Sequence, residues 1–152
     1  MSTARLDNAA AVFITPDVRR TAGYYREVFG FTVVEHYDVE EVFAAIYRDS
    51  VEILFVQARH GDFQPNTVRY GVGFDIYLDP DTVEGVDSMY EELKAKGARI
   101  VREPTMTLYG TYEFVVEDVD GRLIGIGRIR DRETFFRGSF AEAERFGPPV
   151  RL

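Results

Sequence analysis

The feature that most constrains this chain is an internal duplication. Gly30 and Gly97 each end an amphipathic helical stretch. The polar turns Arg48-Asp49-Ser50 and Asp118-Val119-Asp120-Gly121 are separated by about the same stretch of chain. In the first half, residues 9–15 read as a strand. Thr15-Pro16-Asp17 then reads as a helix start, with a capping hydroxyl, proline at the first helical position and an acid in the first turn. Val18, Thr21, Tyr25, Val28 and Phe29 recur on one helical face, and Gly30 closes the helix. Strands follow over 31–37, 42–47 and 51–56. The second half repeats the order. It has a strand over 72–78, a turn and cap at Asp79-Pro80-Asp81-Thr82, and a helical stripe of Val83, Val86, Met89, Tyr90 and Leu93 ending at Gly97. Strands follow over 99–103, 112–116 and 123–129. Residues 58–66 link the halves and hold His60, Gly61, Asp62 and Pro65. A β-α-β-β-β unit is a half-sheet with a helix on one face. Its other face is left uncovered, so two units must pair to enclose it.

Composition narrows the function classes. At 152 residues, 45% hydrophobic and 29% charged, the chain is long enough and apolar enough to bury a core,. The net charge of −8 leaves no basic face for a polyanion, so nucleic acid is not an expected partner,. An acidic surface attracts cations. With 12 Phe, 9 Tyr and no Trp, aromatic side chains are plentiful, which suits a flat or cationic organic ligand,. There is no cysteine, hence no disulfide, thiolate metal site or Cys nucleophile, and a cytoplasmic location is expected,. No apolar run reaches the ~20 residues of a membrane span, and residues 1–8 carry no signal-type apolar segment.

Two stretches carry a family resemblance. Residues 10–31 (AAVFITPDVRRTAGYYREVFGF) resemble the opening of the vicinal oxygen chelate superfamily, which contains glyoxalase I, extradiol dioxygenases and bleomycin-resistance proteins. Residues 109–124 (YGTYEFVVEDVDGRLI) resemble its closing signature. The stretch from Phe43 to Thr67 is similar to the bleomycin-resistance branch. The resemblance implies an α+β fold of two βαβββ modules forming an open curved sheet cup with helices outside, commonly as a homodimer. It places a single domain over 1–130, with modules at 8–57 and 70–130. Residues 131–152 form an extension expected to pack on the domain or a partner. There Phe135, Phe136, Phe140 and Phe146 are too apolar to leave in water, and Ser139, Phe140, Ala143 and Phe146 have the spacing of a short helix.

Enzymes of the superfamily hold a divalent metal at four cup positions. By the resemblance these fall on Ala10, Glu52, Gly71 and Gly125. Only Glu52 carries a donor, and the two histidines, His36 and His60, lie elsewhere,. No metal or other cofactor is therefore expected, and no catalytic residue is assigned.

Candidate ligand-binding residues follow from strand alternation. Glu52 shares a strand face with Leu54 and Val56, opposite Ile53 and Phe55. It is either a cup-facing acceptor or a solvated or Arg-paired acid. Asp75 and Tyr77 alternate with Phe74, Ile76 and Leu78, so they point to the cup or to solvent. A carboxylate in an apolar strand must be solvated, bonded or paired. Tyr109 and Tyr112 flank a loop entering a strand, where rings either stack on a ligand or pack the loop. Tyr47 and Tyr37 are weaker candidates. Gly125 and Gly127 ease a bend or let another group approach closely. The glycine-rich run 121–127 lies at a turn and in a strand, so it is not a phosphate cradle.

The leading expectation is a metal-independent protein that binds a small hydrophobic or cationic aromatic molecule, an antibiotic among the candidates. The alternatives are a glyoxalase-like lyase or isomerase using Glu52 or Asp75 for acid/base chemistry, and a structural dimer whose cup is filled by its own side chains.

Overall fold

Helix starts and stops fix the frame of the first module. The computed structural model describes residues 3–133 and Phe135. Strand β1 (Ala11–Thr15) leads into helix α1 (Val18–Glu27). The helix is capped by Asp17, whose carboxylate accepts from the Arg20 N–H,. The cap expected at Thr15 has moved two residues, because the Thr15 hydroxyl turns inward, 2.6 Å from that of Thr21. Gly30 leaves the helix at φ +71°, a left-handed conformation that favours glycine,. Strands β2 (Thr32–His36), β3 (Phe43–Arg48) and β4 (Val51–Gln57) complete the module.

The second module opens with a short helix, α2 (Asn66–Tyr70), in a region expected to be linker and strand. Gly71 and Gly73 both have positive φ, so extended structure cannot begin before them. Strand β5 (Ile76–Leu78) is accordingly shorter than the 72–78 expected. Helix α3 (Val83–Ala95) is capped by Thr82, which accepts from the Gly85 N–H. Strands β6 (Arg99–Met106), β7 (Thr111–Glu117) and β8 (Leu123–Ile129) follow. Strand β6 runs beyond residue 103, with register shifts between Ile100 and Arg102 and between Arg102 and Thr105. Pro104 lies within the second shift and has no N–H to offer the ladder.

The duplication is plain in the topology. The sheets are ordered β1-β4-β3-β2 and β5-β8-β7-β6, and in each the first strand runs parallel to the last. The fold is thus α+β, two βαβββ modules with open sheets. In module one, α1 covers Ala44, Ile46, Ile53 and Phe55, and the Tyr25 ring meets Phe55 at 4.9 Å. In module two, α3 places Val86, Tyr90 and Leu93 against Phe114, Val116, Ile124 and Ile126. Both sets belong to one continuous core. The expected aromatic helix around Ser139, Phe140, Ala143 and Phe146 lies outside the described residues, as does Phe136. No helix among the described residues is long and apolar enough to cross a membrane.

One side chain ties the modules together. Arg122 is fully buried in the β7–β8 turn. Its Nη1 donates to Asp118 Oδ2 at 3.0 Å and Asp120 Oδ2 at 2.8 Å, and its Nη2 donates to the Ile14 carbonyl at 2.6 Å. The guanidinium lies 4.3 Å over the ring of Phe63 and 5.2 Å over that of Phe13,. Its carboxylates reach into module one as well. Asp118 accepts from Tyr25 at 2.8 Å, and Asp120 accepts from Thr15, Thr21 and Arg20. At the other end of the contact, Arg48 and Glu92 form a two-pronged pair at 2.6 and 3.1 Å,.

Two predictions follow from this network. Arg122→Ala leaves the buried Asp118 carboxylate without a cation and should cost about 3–5 kcal/mol, read by urea denaturation followed by far-UV circular dichroism,. Burial pushes the Asp120 carboxyl up, but bonds from Thr21, Arg122 and Arg20 outweigh it and hold it below its ordinary value. Its contribution to stability is therefore complete above about pH 4 and is lost as the pH falls through its folded-state value. Asp120→Asn should flatten the fall of Tm below about pH 4; an unchanged slope would contradict this.

Candidate functional site

Among the described residues, each sheet has a face that neither α1 nor α3 covers, exposed on module one and buried on module two. On module one this face is built by alternation from Val12 and Ile14 on β1, Glu52, Leu54 and Val56 on β4, Ala45 and Tyr47 on β3, and Val34 on β2. Val12 is 57% and Ile14 50% exposed, both on the edge strand β1. Glu52 is half-buried opposite Tyr47 in the β3–β4 register. Its carboxylate has no hydrogen-bond or ion-pair partner among the described residues. Tyr47 is exposed beside it. Glu52 and Tyr47 are therefore brought together on an otherwise apolar surface.

On module two the open face holds Tyr77, Gly125, Gly127, Val115, Glu113 and Thr111. The two glycines make room for the side chains around them. A Cβ on Gly125 would stand 2.6 Å from the Tyr77 ring, and one on Gly127 would collide with the Tyr77 hydroxyl and with Glu113 Cβ. The close approach expected at these glycines is thus made by neighbouring side chains. Burial and the Glu113 charge push the Tyr77 phenol up to about 12, so it stays neutral at physiological pH.

Glu113 is the residue that the sequence reading missed. It is 0% exposed. Its Oε1 accepts from Thr111 at 2.9 Å and from the Tyr109 hydroxyl, with Arg102 Nη2 at 3.5 Å. Its Oε2 is buried and has no partner. The signal was present. Thr111, Glu113 and Val115 alternate with Tyr112, Phe114 and Val116, so the acid stands on the open face by the argument applied to Glu52 and Asp75. Burial and the bond to Glu113 raise the Tyr109 phenol. Tyr109 also borders an open cavity of about 500 Å³ with Met106, Leu108 and Phe135.

Two other expected site residues lie elsewhere. Tyr112 is on the helix-covered side of β7 and donates to Asp87 of α3 at 2.7 Å, so it does not share a face with Tyr109. That bond to Asp87 raises its phenol. Asp75 accepts from two backbone amides, Asn66 N–H at 3.0 Å and Leu123 N–H at 2.9 Å. It clasps the start of α2 to the start of β8. Both of its oxygens are committed to that structural task.

The pairing also corrects one of the four metal positions. Tyr77, not Gly71, stands beside Gly125 in the β5–β8 ladder; Gly71 ends α2 at φ +77°. Ala10, Glu52, Tyr77 and Gly125 offer one carboxylate and one neutral phenol, which do not fit a divalent metal of the family type. Among the described residues, no group of three or more His, Asp or Glu side chains is placed to hold a metal ion. A separate cavity of about 90 Å³ lies between the modules, lined by Phe31, Val51, Met89, Leu93, Ile124 and Ile126. It is well below the roughly 300 Å³ of an organic ligand pocket.

The model of the Glyoxalase/Bleomycin resistance protein/Dioxygenase superfamily matches residues 6–126. No curated protein matches in sequence. Among solved structures, a glyoxalase/bleomycin resistance protein/dioxygenase from Alicyclobacillus acidocaldarius is 11% identical, with 85% of this chain and 95% of that one covered and a TM-score of 0.68. One from Nocardioides is 15% identical, with 86% and 88% covered and a TM-score of 0.63. A family enzyme from Burkholderia phytofirmans PsJN is 22% identical, with 79% and 96% covered and a TM-score of 0.55. These likenesses show the fold.

Packing around Gly127 yields a stability test. A Cβ added there would meet Tyr77, Glu113 and, at 2.8 Å, the Tyr112 carbonyl. Gly127→Ala should cost about 1–3 kcal/mol by overpacking, read by chemical denaturation. Adding Tyr77→Phe should restore part of the loss by removing one colliding atom.

Proposed function

The chain belongs to the Glyoxalase/Bleomycin resistance protein/Dioxygenase superfamily, and we propose that it is a metal-independent binding protein of that family, taking a small hydrophobic or cationic aromatic molecule on its open sheet faces. The observation that carries this reading is the helix-free face of module one. Val12, Ile14, Val34 and Tyr47 are all exposed there on one surface. An apolar surface of that kind marks a site of association rather than a finished exterior. Glu52 adds a single acceptor to it, and the net charge of −8 favours a cationic ligand,. An antibiotic with a flat aromatic part is one ligand of this class.

The same exposure supports a homodimer, because a second copy can cover the open faces and enclose the ligand between subunits. The lack of cysteine suits action in the cytoplasm,. The alternative, a glyoxalase-like lyase or isomerase with carboxylate acid/base chemistry, loses Asp75 as a candidate because its oxygens hold backbone amides. It keeps only Glu52 of the two acids first considered.

Two measurements test the proposal. The naphthalene fluorescence of 2-naphthylmethylamine should change saturably on titration with the protein, and exhaustive dialysis against a chelator should leave the affinity unchanged. Ile14→Asp should weaken binding by about tenfold or more, equivalent to about 1.4 kcal/mol. Absence of saturable binding, or a requirement for added metal, would refute the reading. Analytical ultracentrifugation should show a dimer in the parent protein and a monomer in the Ile14→Asp variant.

A further inference from the structure

We propose that Glu113 Oε2 and the Tyr77 hydroxyl form a buried subsite that reads a protonated amine or amidinium on the ligand; this rests on the binding function proposed above. Three observations converge. First, Glu113 is 0% exposed, and one of its two oxygens has no partner while the other is held by Thr111, Tyr109 and Arg102. Second, the Tyr77 hydroxyl is also buried and unpartnered. Third, Gly127 sets the Tyr77 hydroxyl beside the Glu113 side chain, since a Cβ added there would collide with both that hydroxyl and Glu113 Cβ.

The chemistry selects the ligand group. An ionised carboxylate only accepts hydrogen bonds, and a neutral phenol accepts as well as donates. A buried acceptor without a donor costs free energy, and a charged donor satisfies it best. An ammonium or amidinium can place one N–H on Glu113 Oε2 and a second on the Tyr77 oxygen. A phosphate or carboxylate brings acceptors and a like charge, and is excluded. Arg102 does not already fill this role, because its nitrogen approaches Oε1 at 3.5 Å and its side chain is 45% exposed.

Tyr109 provides the way in. It is 57% exposed, sits in the turn before β7 and donates to Glu113 Oε1. It also borders the cavity of about 500 Å³. Tyr109 therefore touches both the cavity and the Glu113 carboxylate. The apolar side chains of Met106, Leu108 and Phe135 then receive the hydrocarbon part of the ligand. The arrangement separates two tasks. Apolar and aromatic surface supplies affinity, and the Glu113–Tyr77 pair supplies selectivity for charge.

The experiment compares two probes with the same ring system. One is 2-naphthylmethylamine, which is cationic at neutral pH. The other is 2-(methoxymethyl)naphthalene, which is uncharged and has no N–H or O–H. Affinities are read by naphthalene fluorescence for the parent chain, Glu113→Gln, Tyr77→Phe and Glu91→Gln, each first checked for its fold by circular dichroism. The parent protein should prefer the amine by about tenfold or more. Glu113→Gln should abolish the preference by weakening the amine alone. Tyr77→Phe should reduce it severalfold, and it decides the matter should Glu113→Gln not fold. Glu91→Gln, on the exposed side of α3, should leave it unchanged. Equal affinity of the two probes for the parent, a preference that survives Glu113→Gln, or one that Tyr77→Phe leaves undiminished, overturns the subsite while the binding function stands. Failure of both probes to bind overturns both.

Discussion

The structure depends on a buried cation. Arg122 is wholly enclosed, and a guanidinium in that position is tolerable only if its charge is matched; both Nη atoms are bonded, while Nε is buried without a partner,. Asp118 and Asp120 supply the charge, and the Ile14 carbonyl takes a further N–H across the module boundary. The two acids in turn accept from Tyr25, Thr15, Thr21 and Arg20 of module one. A turn in the second half of the chain thus holds the first strand and helix of the other half. The linker joins the same network, because Phe63 lies flat against the guanidinium. The Arg48–Glu92 pair is a weaker counterpart, since it is partly solvated,.

Joining the modules through their helix-covered faces has a consequence for the open ones. The apolar side chains of α1 and α3 are consumed in one shared core. The opposite faces keep the alternating pattern of a half-buried sheet with no helix to cover it. On module one the surface is aliphatic with a lone carboxylate. On module two it is polar and partly filled, with Tyr77 and Glu113 folded over two glycines. The faces are therefore not equivalent despite the duplication. Module one supplies apolar area, and module two supplies acceptors for hydrogen bonds.

Strand alternation put Glu52 and Tyr77 on the face that the register gives them. It also put Asp75 on that face by parity, yet the side chain serves two backbone amides. Parity says which way a residue leaves the chain; it does not say that a nearby loop has unpaired N–H groups to satisfy. Tyr112 lies away from Tyr109 for a different reason: the loop joins the two in sequence, whereas the parity of Tyr112 matches Phe114 and Val116 on the helix side. Glu113 was legible by that same parity and was passed over. The shortening of β5 was signalled by Gly71 and Gly73, whose positive φ interrupts extended structure.

The sequence alone determined the duplicated order of elements, the helix ends at Gly30 and Gly97, and the absence of metal donors at most of the family positions. These are local properties, set by periodicity, by backbone freedom and by which side chains carry donor atoms. Only the tertiary structure decided that Arg122 is the tie between halves, that Tyr77 stands beside Gly125, and that Glu113 keeps one buried oxygen free. Each of those facts joins residues far apart in the chain or across a strand ladder. Such contacts depend on register and on how the modules dock, which no local pattern encodes.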